Sequence, residues 1–180
     1  MKIIRQCAAQ LVLGLTALIL FAALFANAAD AHPPKKMDKG SYYKLTQLIK
    51  KNEGYSIRVY EDTKGNLTVG YGHLLTDRKK YKVGDFVNQE RLRRWFRADL
   101  QTAMNCSRRF LNNDYNEKEF IVITDMAFNL GCNKLHTFWR LQKHINNHDY
   151  VMAAKAIRGS IYYSQVKKRA DRNIRLLKDK

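Results

Sequence analysis

Glu53, Asp62 and Thr68 stand in an order that could do chemistry, with eight residues between the first two and five between the second and third. Two carboxyls and a hydroxyl match the needs of glycoside hydrolysis. One carboxylic acid protonates the leaving oxygen, while a second carboxylate organises water or stabilises positive charge, with the two held about 5 to 9.5 Å apart. Each residue also has a plainer use: Glu53 as a helix-end residue, Asp62 as a turn acid, Thr68 as a β-branched strand residue. Their placement by the surrounding elements decides between these uses.

Tyr42, Leu45, Leu48 and Ile49 recur at helical spacing and Gly54 offers a stop, so a first helix closes at Glu53. Residues 56–60 alternate apolar and polar, a Lys64-Gly65-Asn66 turn follows, and residues 67–71 resume the strand pattern, which is a hairpin signature. Asp62 then sits at the hairpin turn and Thr68 on the return strand. Asn88 can cap a long helix to about residue 110, with Leu92, Trp95, Phe96, Leu100, Ala103 and Met104 on its apolar side. Asn116 and Glu119 resemble a capping box opening a helix over Glu117–Leu130, apolar on most sides and ended by Gly131. Helices over 137–146, 150–158 and 161–177 complete an α+β, mainly helical chain.

The formal net charge of +17, from 33 Lys+Arg against 16 Asp+Glu, calls for an anionic partner: nucleic acid, a membrane surface or the bacterial envelope. A merely solvated basic surface is the alternative. The N-terminus narrows the choice. Lys2 and Arg5 precede an apolar run over residues 11–25 that ends beside Ala26-Asn27-Ala28, the three-part pattern of a secretory signal peptide, with an uncleaved anchor as the second reading. Cleavage after Ala28 would leave a charge of +15 and place the protein in the periplasm or outside the cell, which argues against a nucleic-acid partner. Membrane association would run through this N-terminal segment alone. Residues 29–41 contain both prolines and read as a flexible linker, so the sequence divides into a signal over 1–28, a linker over 29–41 and one catalytic domain over 42–180. A chain of this size supports a single core, and a monomer is expected.

Around the three residues, the stretch EGYSIRVYEDTKGNLTVGYGHLLT resembles the phage-type lysozymes, glycoside hydrolase family 24, whose mark is Glu, eight residues, Asp or Cys, five residues, Thr. The similarity extends through Phe96-Arg97-Ala98-Asp99, Met126 to Gly131 and SIYYSQVKKRADR at residues 160–172. Tyr162 stands where the family usually has Trp, and the segment over 76–88 is shorter than in a phage member. The resemblance implies a lysozyme-like fold of two lobes, a small β-hairpin lobe and a larger helical lobe with a cleft between. It implies a muramidase that hydrolyses the bond between N-acetylmuramic acid and N-acetylglucosamine in peptidoglycan with inversion. The basic excess then serves to concentrate the enzyme on an anionic wall, either in host lysis by a phage or in an exported bacterial enzyme that remodels its own wall or attacks competitors.

By the same resemblance Glu53 is the general acid, Asp62 places the attacking water or stabilises the oxocarbenium-like state, and Thr68 holds that water. Glu53 then needs partial burial to raise its pKa against the pull of a nearby cation, and Arg169 matches an arginine facing the catalytic glutamate. Phe128 and Asn129 match substrate-contacting positions. His73 and Asp99 match a pair that forms a salt bridge; the alternative has His73 lining the cleft and Asp99 bonded to backbone or an arginine.

Cys106, late in the long helix, and Cys132, just past Gly131, form an even pair in an oxidising compartment. A disulfide and two separate buried thiols are both consistent with this placement. No cofactor is expected, and no Cys/His or carboxylate cluster has metal-ligand spacing. The rivals are a lytic transglycosylase, which needs only the glutamate, and a non-catalytic peptidoglycan-binding module. The presence of Asp62 and Thr68 argues for hydrolysis.

Overall fold

A computed structural model describes residues 37–112 and 114–179. The predicted signal over 1–28 and most of the predicted linker lie outside the described residues. The first helix, α1 (Lys39–Glu53), begins three residues inside the stretch read as linker. The cause is Asp38, whose carboxylate accepts from the Gly40 and Ser41 amides at 2.7 and 3.0 Å, supplying the N-cap that a reading from apolar periodicity overlooks.

A three-stranded antiparallel sheet follows: β1 (Ser56–Glu61), β2 (Leu67–Gly70) and the short β3 (His73–Leu74), in that order. The third strand adds to the predicted hairpin. Next come α2 (Gln89–Phe110), α3 (Glu117–Leu130), α4 (Cys132–Leu135), α5 (Trp139–Ile145), α6 (Tyr150–Arg158), α7 (Ile161–Gln165) and α8 (Lys167–Lys178). The mainly helical α+β reading holds. Asn88 caps α2 through the Arg91 amide, and Asn116 and Glu119 form a reciprocal capping box at α3.

The single helix predicted over 161–177 is two helices that break at Val166, where φ is −132° and ψ 45°. Tertiary packing overrides the helical period here. Tyr162 before the break and Ala170, Ile174 and Leu177 after it are all fully or nearly fully buried, and one straight helix could not turn both segments inward.

Apolar side chains gather into two cores. The small one joins Val59, Leu67 and Val69 of the sheet to Leu75, Val87 and Leu92. The large one is built around α3, buried continuously from Glu119 to Ala127, with Leu45 and Ile49 of α1 and Leu100, Ala103 and Phe110 of α2 packed on it. The long helix α2 belongs to both, with Leu92 in the small core and Leu100 in the large one, so it is the beam that fixes the sheet lobe against the helical lobe. Among the described residues no helix is long and apolar enough to cross a membrane.

Candidate active site

Glu53 is the last residue of α1, and Gly54 ends the helix with φ +69°, a conformation that favours glycine. The chain thereby turns straight into β1 and leaves the Glu53 side chain at the junction of the lobes. Its carboxylate is 16% exposed, and Oε1 accepts from Nη1 of Arg169 at 2.6 Å. Gly72, with φ +86°, lies on the other side; a Cβ placed there would come within 3.8 Å of Oε2. Burial raises the Glu53 pKa above the usual glutamate value and is the dominant influence, Arg169 pulls it back, and Asp125 pushes it up again.

Arg169 is itself fixed from below. Its Nε and Nη2 donate to the two carboxylate oxygens of Asp125 at 2.9 and 2.8 Å, and Nη2 also reaches the Asp125 carbonyl at 2.9 Å. Asn52 and Asn173 each donate to the same carboxylate at 2.8 Å. The fully buried Asp125 is thus saturated with donors and anchors the one guanidinium nitrogen that faces Glu53. Sequence reading missed Asp125, Asn52 and Asn173. The signal that could have found Asp125 is its place in EKEFIVITDMAFNL, a carboxylate in the middle of a run whose every neighbour is buried.

Across the junction, the tight turn between β1 and β2 is made by Asp62. Its Oδ1 accepts from the Lys64 and Asn66 amides, both at 2.8 Å, and Oδ2 from the Asn66 side chain at 3.0 Å. These donors, the Asn66 amide first, hold the Asp62 pKa below the ordinary aspartate value. Thr68 is 5% exposed on β2, directly paired with Tyr60 of β1, and its hydroxyl donates to the Asn66 carbonyl at 3.1 Å. Tyr60, absent from the sequence-derived set, connects the two acids electrostatically: burial, then the charges of Asp62 and Glu53, raise its pKa. The site therefore holds two carboxyls whose surroundings shift them in opposite directions, Glu53 upward and Asp62 downward.

The remaining predicted residues lie around this centre. His73 on β3 meets Asp99 on α2, Nδ1 to Oδ2 at 2.8 Å, and its ring stacks on Trp95 at 4.5 Å. Cys106 and Cys132 are joined in a disulfide with Cα atoms 5.6 Å apart, tying α2 to the start of α4. Phe128 packs on Phe96 at 5.9 Å and lines a cavity of about 230 Å³ with Gly72, Leu74 and the disulfide. Gly72, which approaches Glu53 Oε2, is one of the residues lining this cavity, while Glu53 itself is not. Asn129 is exposed at the end of α3 and does not line the cavity.

Comparison with known proteins follows the same outline. The family model described as phage lysozyme matches residues 50–171, a span that contains Glu53, Asp62, Thr68, Asp125 and Arg169. The chain is 26% identical to a probable T4-type lysozyme 2 of Dictyostelium discoideum, over 72% of this chain and 91% of that one. It is 27% identical to an endolysin of Acyrthosiphon pisum secondary endosymbiont phage 1, over 57% and 67% of the two chains. Among solved structures, the muramidase domain of SpmX from Asticaccaulis excentricus shares the fold with a TM-score of 0.62 at 18% identity, covering 81% of this chain and 99% of that one.

Proposed function

This chain belongs to the phage lysozyme family, and from that premise we propose how its own residues perform the reaction. The protein is a peptidoglycan muramidase. It cleaves the β-1,4 bond between N-acetylmuramic acid and N-acetylglucosamine. In our reading Glu53 is the general acid, and the observation that carries this is a mostly buried carboxyl with a raised pKa, aimed by a single guanidinium bond. Such a group keeps a proton available where an exposed glutamate has lost it. Asp62, held ionised by its turn, stabilises the positive charge that develops at the anomeric carbon or orients the attacking water. Thr68, buried beside it, positions that water. The attack comes from the face opposite the leaving group, with inversion. Arg169 orients Glu53 and stabilises the carboxylate left when its proton has passed to the leaving oxygen, until a proton from water restores the acid for the next turnover.

Phe128, in the cavity that Gly72 shares, contacts bound glycan there, and the neighbouring exposed Asn129 adds a polar contact to the glycan. The basic surface draws the enzyme to the anionic envelope, and residues 1–28 act as an export signal. The experiment that tests the reaction type is mass spectrometry of muropeptides released from purified peptidoglycan. Hydrolysis leaves reducing ends one water heavier than the anhydro ends of a transglycosylase; anhydro products would overturn the assignment. Proton NMR of the first-formed reducing end tests inversion, which predicts the α anomer.

A further inference from the structure

A second cavity lies away from the catalytic groove, and neither Glu53, Asp62, Thr68 nor Gly72 lines it. It occupies about 470 Å³ between α1, the sheet and the start of α2, within the range of about 300–1,000 Å³ usual for small-ligand sites. Tyr42, Thr46 and Lys50, spaced four apart on α1, form one wall, and Arg93 and Arg97, again four apart on α2, form the opposite one. Tyr55 and Tyr71 stand between them, with ring centroids 4.8 Å apart, and Tyr71 meets Phe96 at 4.9 Å.

No carboxylate lines this cavity, and among the described residues none of Lys50, Arg93 and Arg97 has an acidic partner. The Lys50 ammonium instead rests over the Tyr71 and Phe96 rings at 5.6 and 5.4 Å. Arg93 reaches only the Gln89 side chain at 3.1 Å, and Arg97 only the Arg93 carbonyl. The Thr46 hydroxyl is buried with no hydrogen-bond partner, an arrangement that costs free energy unless something fills the site. Three uncompensated cations, a spare hydroxyl and several aromatic rings describe a ligand with an anionic group, further hydroxyls and an apolar face.

We propose that this cavity is an accessory binding site for a phosphorylated saccharide of the bacterial envelope. The two arginines and Lys50 take the phosphate, Thr46 and Gln89 take sugar hydroxyls, and a pyranose ring lies on Tyr55 or Tyr71. The rings are tilted by 41° and 54° to one another, so they offer single faces and no parallel slot for a nucleobase. The choice of an envelope saccharide rests on the muramidase reading; binding of the sugar phosphate itself does not. Because the walls come from both lobes, a bound ligand also braces the elements that carry Glu53 and the sheet.

Isothermal titration calorimetry of the whole protein at low ionic strength, with N-acetylglucosamine 1-phosphate as probe, tests the site without requiring turnover. The sugar phosphate binds at least tenfold more tightly than N-acetylglucosamine or inorganic phosphate, and raised salt weakens it. The double variant Arg93→Gln, Arg97→Gln loses at least tenfold in affinity, and Tyr55→Ala at least threefold, while both cleave a soluble glycan at the wild-type rate. Sedimentation with sacculi that retain phosphodiester-linked polymer, and with vesicles bearing a phosphorylated glycolipid, identifies the source: loss by the double variant on one of them assigns the ligand to that source. Unchanged sugar phosphate affinity in the variants, inorganic phosphate binding as tightly as the sugar phosphate, or adenosine monophosphate binding more tightly, overturns the proposal.

Discussion

Two glutamates, at opposite ends of helices, stand in opposite surroundings, one mostly buried and one fully so. Glu53 closes α1 at the lobe junction, and Glu119 stands in the first turn of α3 inside the helical lobe, where it is fully buried. Glu119 has both oxygens occupied: Oε2 accepts from the Asn116 amide at 2.8 Å and Oε1 meets His148 Nδ1 at 2.7 Å. Glu53 has one oxygen on Arg169, and among the described residues its Oε2 accepts no hydrogen bond. Burial alone therefore does not decide what a carboxyl is free to do. What separates the two is the count of fixed donors, since a carboxylate saturated by backbone and cation is structural, whereas one held by a single contact has an oxygen left for substrate.

The comparison breaks most visibly at Arg169. Replacing it by Met strands two buried carboxylates, Asp125 and Glu53, without their shared cation. Denaturant unfolding should show a loss of about 3–5 kcal/mol, as for removal of one partner from a buried ion pair. The Glu53 pKa should climb further, because the arginine is the influence that lowers it, and the alkaline limb of the activity profile should move to higher pH.

Next in size is the disulfide, which closes a loop with a separation of 26 residues. It serves as a control that touches neither glutamate. The Cys106→Ser, Cys132→Ser variant should lose about 3 kcal/mol of stability by loop-closure entropy while keeping its activity at permissive temperature. Two free thiols in the unreduced, denatured mature protein, which lacks Cys7 once the signal is removed, would remove the basis of this expectation.

Glu119→Ala should cost about 1–3 kcal/mol, from the lost cap and the unsatisfied Asn116 amide, again without changing turnover. A loss of activity at a temperature where this variant is fully folded would erase the distinction between the two glutamates.

The smallest effect is in pH dependence. Hydrogen bonding to Glu119, then to Asp114, raises the His148 pKa above its ordinary value. A raised histidine contributes stability that is present below about 6.5, the unfolded value, and is lost as pH rises through the folded value. His148→Asn should therefore lower Tm relative to wild type at pH 5.5 and much less at pH 8.5. An equal deficit at both would show that His148 acts by packing.

Much of this was legible in the sequence because it depends on short spacings. The Glu53, Asp62 and Thr68 order, the Asn116 and Glu119 box, and the stops at Gly54 and Gly131 are each local, so the residues carry their own structural instruction. The Asp38 cap was local too, but composition masked it, since two prolines and a Gly-Ser nearby made the stretch read as linker. The break at Val166 was not legible, because it answers to burial of Tyr162 on one side and Ala170 on the other. Asp125 is the clearest loss. A lone acid in an apolar helix announces a partner but not which one, and Arg169 lies 44 residues away in sequence.

The central claim is that Glu53 is the proton donor. The direct test is clearing of a peptidoglycan suspension by Glu53→Gln, with circular dichroism as the check on folding. The substitution removes the transferable proton at nearly constant shape, so the rate should fall roughly 100- to 10,000-fold while the spectrum stays that of the wild type. A folded Glu53→Gln protein that clears the suspension at close to the wild-type rate would contradict the account.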